Sequence, residues 1–143
     1  MTVQSSLSEI SSPQSKAAVW MSANTEISLS DANVIQRYEL GILYFATNGE
    51  SCIDSLRFLS STNEWNWTGI ECNSSSKVIS VVIAGNSLIG AIPNEIGTLD
   101  SLSSISLTQG KLTGLIPDSL YNLPLTELEL RDNNLDGDIS VKL

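Results

Sequence analysis

Two glutamates, Glu127 and Glu129, are the residues of this chain best suited to acid–base chemistry. Alternate residues of an extended strand face the same side about 7 Å apart, and paired carboxylates at such a distance can hydrolyse a glycosidic bond. That chemistry also requires an apolar pocket that raises the pKa of one carboxyl. We expect this pair to lie on a shallow, exposed face beside Arg131, so the sequence does not predict an enzyme.

Other kinds of catalytic or metal site lack their usual residues. The 143 residues include no histidine, which is the commonest general base and the commonest metal ligand. The two cysteines are too few for a zinc site without other ligands, and no glycine-rich phosphate-binding loop is present. The sequence therefore predicts neither a metal nor a cofactor.

Charge and hydropathy limit the possible partners. The net charge is −9, with 16 acidic and 7 basic residues, so the chain should repel the phosphates of nucleic acids, and it has no basic cluster for anionic lipids. The hydrophobic fraction of 41% is sufficient for a packed core. No apolar run has the length of a signal peptide or a membrane span, so membrane attachment is expected only through segments absent from this chain.

The strand that must position Glu127 and Glu129 belongs to a sequence repeat. Residues 87–93 read SLIGAIP and residues 111–117 read KLTGLIP, and aliphatic residues precede both at matching positions. A third unit, one residue shorter, covers 125–139. A fixed period of about 24 residues predicts a solenoid, in which each turn contributes one short strand and neighbouring turns share their buried faces.

Alternate residues of each strand should face the interior and stack from turn to turn. The inward pairs are Val81 and Ile83, Ile105 and Leu107, and Leu128 and Leu130. The amides of Asn86 and Asn133 can bond backbone groups after the strand. Gly90, Gly114 and Gly137 recur where the chain needs conformations that other residues resist.

The spaced pattern L-x-x-L-x-L-x-x-N-x-L-x-G-x-I-P resembles the plant-type leucine-rich repeat over roughly residues 78–139. With the helical segments upstream, the chain is similar to leucine-rich-repeat proteins abundant in diatoms. The resemblance implies an α/β fold, namely a short right-handed solenoid of parallel strands, one per repeat, with an N-terminal helical cap region. It also implies an extracellular or membrane-associated location and a protein or peptide partner.

Caps of such proteins commonly read C-x-W-x-G-x-x-C. Trp67, Gly69 and Cys72 match this motif, whereas Trp65 replaces its first cysteine. Trp67 is therefore expected in the core of the cap. Cys52 is the only possible partner for Cys72, and both alternatives stay open: a disulfide between them, or two buried thiols.

The N-terminal region is predicted to contain two helices. Ser12 and Pro13 have the character of a helix start, and a second helix is indicated by apolar residues at helical spacing, followed by the stop signal of residues 47–49. The apolar residues are Val34, Ile35, Tyr38, Ile42 and Phe45. We divide the chain into a disordered tail (1–11), a helical region with the cap (12–76) and about three repeats, incomplete at the C-terminus (77–143).

The outward residues of the strands form the candidate binding face, since repeat proteins bind partners on their concave surface. This face consists of Ser104, Ser106, Thr108, Gln109, Glu127, Glu129, Arg131 and Asp132. An unused, solvated face is the alternative. Asn66 and Asn73 begin glycosylation sequons, which are mild evidence for secretion.

The sequence thus favours a non-catalytic ligand-binding or protein-binding module. The resemblance suggests a fragment of a receptor-like protein, and the end of the chain directly after the third turn, without a polar capping unit, agrees with this expectation. Two other hypotheses remain open at this stage: a stand-alone secreted binder or inhibitor of a wall-degrading enzyme, and a truncated structural remnant without a ligand.

Overall fold

The computed structural model describes residues 11–23, 33–49, 67–84 and 88–137. Its helices are α1 (Pro13–Ala23), α2 (Val34–Ala46) and two short 3-10 helices, η1 (Asn94–Thr98) and η2 (Asp118–Asn122). Its strands are β1 (Ile70–Cys72), β2 (Val78–Ala84), β3 (Ile89–Ala91), β4 (Ser104–Thr108), β5 (Lys111–Thr113) and β6 (Glu127–Glu129). The helices and β1 form the N-terminal cap, and the other strands with the 3-10 helices form the repeats.

The predicted helix signals are confirmed. The hydroxyl of Ser12 accepts a hydrogen bond from the N–H of Ser15 at 3.1 Å, as an N-cap does, and Pro13 is the first residue of α1. Helix α2 ends at Ala46, and Asn48 then has a positive φ of 58°, which turns the chain out of the helix.

The apolar spacing identified α2 and part of its buried surface. Ile42 is 0% exposed as the spacing indicates, whereas Ile35 is 66% exposed, so that part of the prediction is wrong. Leu40 and Leu43, outside the predicted stripe, are also buried, together with the polar side chains of Gln36 and Glu39. The buried surface of the helix is therefore wider than the predicted stripe and partly polar.

The main sheet has the strand order β1-β2-β4-β6, with β1 antiparallel to β2 and the other neighbours parallel. Its register aligns Val81 with Ile105 and Ile105 with Leu128, and it aligns Ile83 with Leu107. The predicted stacking is confirmed for these residues, and Leu130 lies one residue beyond the end of β6. The side chains of Val81, Ile105 and Leu107 are 0% exposed, whereas Ile83 in the first repeat and Leu128 in the third are half-buried.

A second, parallel sheet of β3 and β5 was not predicted. Each strand has only three residues, and Ile89 of β3 is 46% exposed, so the sequence carries no burial pattern that marks it. The 3-10 helices η1 and η2 follow Pro93 and Pro117, whose rings cannot continue an extended ladder and favour the start of a turn.

We call one strand of the main sheet with the segment that returns to the next strand a rung. Polar side chains join each rung to the one before it. The hydroxyl of Ser103 donates to the carbonyl of Ile79 at 3.1 Å, and one rung later Thr126 donates to the carbonyl of Ser103 at 3.2 Å. On the opposite side of the coil, Ser119 of η2 donates to the carbonyl of Asn94 at 2.7 Å. The carbonyls of Ile79 and Ser103 also accept backbone N–H groups of the following rung, so these two hydroxyls strengthen contacts that the backbone already makes.

Asn133 makes the backbone contacts predicted for it. Its Nδ2 donates to the carbonyl of Leu107 at 2.6 Å, and its Oδ1 accepts the N–H of Leu112 at 3.1 Å, so one amide ties the third rung to the second. A Cβ at Gly110 would lie 2.9 Å from this Oδ1, so the glycine leaves room for the amide. Asn86 lies outside the described residues.

Hydrogen bonds to the backbone join the cap to the first rung. The amide of Gln36 accepts the N–H of Val78 at 2.7 Å and donates to the carbonyl of Ser76 at 3.0 Å, which imitates a neighbouring strand. The N–H of Ile89 donates to the carbonyl of Thr47 at 3.1 Å. The end of α2 is thereby held against β3.

Trp67 forms the centre of the cap core, as predicted. It is 2% exposed and meets the ring of Trp20 edge-on, with the two ring centroids 6.0 Å apart. The guanidinium carbon of Arg37 lies 5.8 Å from the Trp67 ring centroid, within the range of a cation–π contact. One aromatic side chain thus contacts both helices.

Glu39 is buried at the junction of the cap and the first rung. Its side chain is 7% exposed, and its Oε2 has no hydrogen-bond partner among the described residues. It borders a cavity of about 210 Å³ between α2 and η1. Burial, together with the smaller effect of the nearby Glu95, raises the pKa of its carboxyl from 4.5 to about 7.

Alanine substitutions at Gly90 and Gly114 test the docking of α2 on β3. Both glycines have positive φ, 103° and 80°. A Cβ at Gly90 would lie 2.3 Å from the carbonyl oxygen of Ala46, but at Gly114 the nearest atom is the Cβ of Ala91 at 3.5 Å. We expect Gly114→Ala to lower the free energy of unfolding by about 1–2 kcal/mol through backbone strain, and Gly90→Ala by about 1–3 kcal/mol more through the clash.

Urea unfolding followed by tryptophan fluorescence measures both losses. Gly114→Ala is the matched control, because it carries the same backbone strain without the contact to the helix. Equal losses in the two variants would contradict the close packing of α2 on β3.

Glu39→Gln tests the buried carboxyl. The folded carboxyl holds its proton more tightly than the unfolded one, so the free energy of unfolding should fall as the pH rises from 4.5 to about 7 and stay lowered above that. The variant removes this penalty, and we expect it to be more stable than the parent at pH 8 by on the order of 1–2 kcal/mol. At pH 4 the two should differ little.

Unfolding curves at several pH values provide the measurement, with Glu71→Gln on an exposed position of β1 as the control for net charge. If Glu39→Gln and Glu71→Gln change the pH dependence equally, the buried position of Glu39 is not the cause.

Candidate functional site

The parallel register assembles the candidate binding face in rows that run across the sheet. One row contains Ser80, Ser104 and Glu127. The next row begins at Val82, which is 45% exposed, and continues through Ser106 to Glu129. Residues predicted to share a face are therefore adjacent, because a constant register places equivalent positions of successive rungs side by side.

Hydrogen bonds between rungs orient the two carboxylates. The hydroxyl of Ser104 donates to Oε2 of Glu127 at 3.0 Å, and the hydroxyl of Ser106 donates to Oε2 of Glu129 at 3.1 Å. Both glutamates are exposed. The pair thus presents two ordered acceptors on an open surface, which suits the binding of donors and cations and lacks the apolar enclosure that a general acid requires.

The accessible part of the face lies toward the third rung. Ser106 and Thr108 are only 8% and 4% exposed, so they contribute little surface of their own. Ser104 is half-buried. The exposed members are Gln109, Glu127, Glu129, Arg131 and Asp132. The sequence pattern indicated which way these side chains face but could not indicate how far their neighbours cover them.

Gln109 and Asp132 form the rim of this face at equivalent positions of two rungs. Both are in the left-handed conformation, with φ of 59° and 60°. Such values are uncommon for residues other than glycine and here bend the chain away from the end of the strand. The N–H of Gln109 donates to the carbonyl of Arg131 at 3.2 Å. The sequence places the two residues at equivalent positions, and its one signal for this conformation is Gly85 at the same position of the first repeat.

The two candidate modification sites are only partly within the described residues. Cys72 is half-buried at the end of β1 and packs against the core, but Cys52 lies outside the described residues, so the disulfide stays a prediction. Asn73 is exposed, and its Oδ1 accepts the N–H groups of Ser75 and Lys77 at 2.9 and 3.0 Å. Asn66 also lies outside, and glycosylation of either asparagine stays a prediction.

Two further properties concern the described part of the chain alone. It contains no group of three or more histidine, cysteine, aspartate or glutamate side chains arranged to hold a metal ion. None of its helices has both the length and the apolar character required to cross a bilayer.

The chain matches no protein-family profile. It is similar to phytosulfokine receptor 1 of Arabidopsis thaliana, with 36% identity over 87 residues, which cover 59% of this chain and 9% of the receptor. The chain spans about a tenth of the length of the first curated relatives that it matches.

Solved structures share the fold. A plant ice-binding protein superposes with a TM-score of 0.66 over 78% of this chain and 36% of that chain, and its 24% identity supports the fold alone. The leucine-rich-repeat ectodomain of the Arabidopsis receptor kinase HAESA, in complex with an IDA peptide hormone, superposes with a TM-score of 0.55 and 27% identity over 76% of this chain and 18% of that chain. The fold is a leucine-rich-repeat solenoid with a helical N-terminal cap.

Proposed function

We propose that this chain is a non-catalytic recognition module that binds a peptide or a protein on its candidate binding face. The observation that carries the proposal is the likeness to the HAESA ectodomain, whose structure contains a peptide hormone, combined with an open face of ordered polar groups. Both features suit recognition across an extended surface better than chemistry in a pocket.

The exposed charges of the face suit a peptide that carries both signs. Glu127 and Glu129 present acceptors fixed by serine hydroxyls, whereas Arg131 presents a planar group of donors on the same rung. Donors and acceptors so close together can bind the alternating N–H and C=O groups of an extended backbone. The negative charge of the whole chain also disfavours nucleic acid as the partner.

The wider setting belongs to the same proposal. We infer that the module is part of a receptor-like protein and acts outside the cell or at a membrane, because its curated relatives include receptors. Within this proposal, residues 12–76 serve as the cap and residues 77–143 as about three repeats. A disulfide between Cys52 and Cys72 and glycans on Asn66 and Asn73 would be compatible with that location.

Charge reversal on the face tests where ligands bind. Peptides selected from a random displayed library against the folded chain serve as probes. We expect Arg131→Glu to weaken their binding by about tenfold, because it replaces the main donor group of the face by a repelling charge. Lys111→Glu makes the same change of net charge on β5, outside the face, and should alter binding less than about twofold.

Affinities are measured by calorimetry on variants whose melting curves match that of the parent. Equal effects of the two substitutions would show a general charge effect and contradict the assignment of the face. Failure to select any peptide would contradict peptide recognition and favour a module without a ligand.

A further inference from the structure

The cavity of about 210 Å³ between α2 and η1 has a buried floor and an exposed mouth, and we call it the junction pocket. Gln36, Glu39 and Leu99 form its floor and are all buried. Lys77 and Asp100 lie at its mouth, where the two exposed side chains pair at 3.5 Å. The described residues that line the pocket include no member of the candidate binding face, so the pocket is a separate feature of the molecule.

Glu39 is the residue of the floor whose hydrogen-bonding capacity is not fully used. Its side chain is 7% exposed, and its buried Oε2 has no hydrogen-bond partner among the described residues. Neighbouring donors are engaged elsewhere: the amide of Gln36 bonds the backbone next to the start of β2, and the hydroxyl of Thr98 donates to the carbonyl of Glu95 at 2.7 Å. Because buried polar atoms normally have partners, this oxygen suits a donor supplied by a ligand.

Charge limits the class of ligand. Glu39 lies near Glu95, and the basic side chain that lines the pocket, Lys77, is already paired with Asp100, so an anion is disfavoured. The described part of the chain brings no three metal-ligating side chains together, so a metal ion would find too few protein ligands. An organic cation is the remaining class. Guanidinium suits a buried carboxylate better than ammonium, because it is less strongly hydrated and can donate two parallel N–H groups.

The rest of the lining suits a short alkyl stem. Leu99 is buried and Ile35 is exposed, so apolar side chains are available both at the floor and toward the mouth. One water molecule takes up about 30 Å³ in the liquid, so the pocket has the volume of roughly seven waters. That volume accommodates a guanidinium group with a few methylene groups.

We propose that the junction pocket binds an alkylguanidinium group, whose head pairs with the carboxylate of Glu39 and whose stem packs against Ile35 and Leu99. Two sources have this chemistry, namely an arginine side chain of a peptide or protein and a free small molecule. The site goes beyond the proposed function, because it shares no residue with the candidate binding face.

Calorimetry with n-propylguanidinium tests the site, and n-propylurea is the uncharged control of nearly the same shape. We expect a dissociation constant on the order of 1 mM for the cation and at least about tenfold weaker binding of the urea. Glu39→Gln should weaken the cation by at least about tenfold. Glu71→Gln makes the same change of net charge at an exposed position of β1 and should alter binding by less than about twofold.

Proton release separates the buried carboxyl from carboxylates at the surface. The pKa of Glu39 is about 7 without ligand, so the carboxyl is mostly protonated at pH 6 and must lose its proton when the cation binds. Calorimetry in buffers of different ionisation enthalpy should show the release of close to one proton at pH 6, and affinity should fall about tenfold from pH 8 to pH 6. The other charged groups around Glu39 are Glu95 and the pair of Lys77 and Asp100. A cation held only at the mouth would leave Glu39 protonated.

A tethered cation tests the position of the site. Ile35→Arg adds a guanidinium at the mouth of the pocket, where it should occupy the site and weaken n-propylguanidinium by at least about fivefold. Val19→Arg makes the same change on α1 outside the pocket and should alter binding by less than about twofold. Both original side chains are exposed, so the fold should be retained, and thermal melting of each variant checks this.

A blocked peptide with one arginine between glycines distinguishes the two sources. Binding as tight as that of n-propylguanidinium indicates an arginine side chain as the ligand, and binding of the small cation alone indicates a free small molecule. Both results support the inference.

Four results would overturn the inference: no binding of the cation, equal binding of the urea, equal effects of Glu39→Gln and Glu71→Gln, or no proton release at pH 6. The first and the last are also expected if a cation of this chain already pairs with Glu39. None of the four refutes the proposed function, because the comparison of Arg131→Glu with Lys111→Glu on selected peptides tests that separately.

Discussion

The structure depends on one constraint: a single rung of the solenoid cannot bury its own aliphatic side chains. Among the described residues, the second rung alone has a repeat on both sides, and its Ile105, Leu107 and Leu112 are 0% exposed. The third rung has one described neighbour, and its Leu128 and Leu130 are half-buried. Since burial of apolar area is the main favourable term in folding, each rung owes most of its stability to adjacent rungs.

The cap solves the same problem at the other end by different means. In the part of the chain that the structure describes, β1 pairs with β2 in the antiparallel sense in place of a preceding rung, and Gln36 provides an amide where a strand would provide backbone groups. Trp67 fills the space between the helices and the first rung. The arrangement has a cost, because Glu39 is buried beside this junction and its pKa is raised to about 7.

The regular stacking also produces the candidate binding face. Because successive strands keep one register, outward residues form rows, and a serine on one rung bonds a glutamate on the next. The result is a surface of oriented polar groups without an enclosed pocket. Such a surface can bind an extended partner over several rungs, which agrees with recognition and with the receptor proteins that the chain resembles in sequence.

The repeat by itself determined the period, the inward column of Val81, Ile105 and Leu128, the glycines with positive φ and the tie made by Asn133. These features stand at fixed positions within the repeat, so the sequence shows most of them more than once. Where the pattern does not repeat, prediction is less complete: the apolar spacing indicates α2 but places Ile35 on the buried side.

Only the tertiary structure decided which face of α2 is covered, that β3 and β5 pair, and that Ser106 and Thr108 are almost inaccessible. Each of these depends on contacts between segments far apart in the chain. Local spacing records which side chains share a face, but the burial of that face depends on what packs against it, and a single sequence carries no periodic signal for a contact that occurs once.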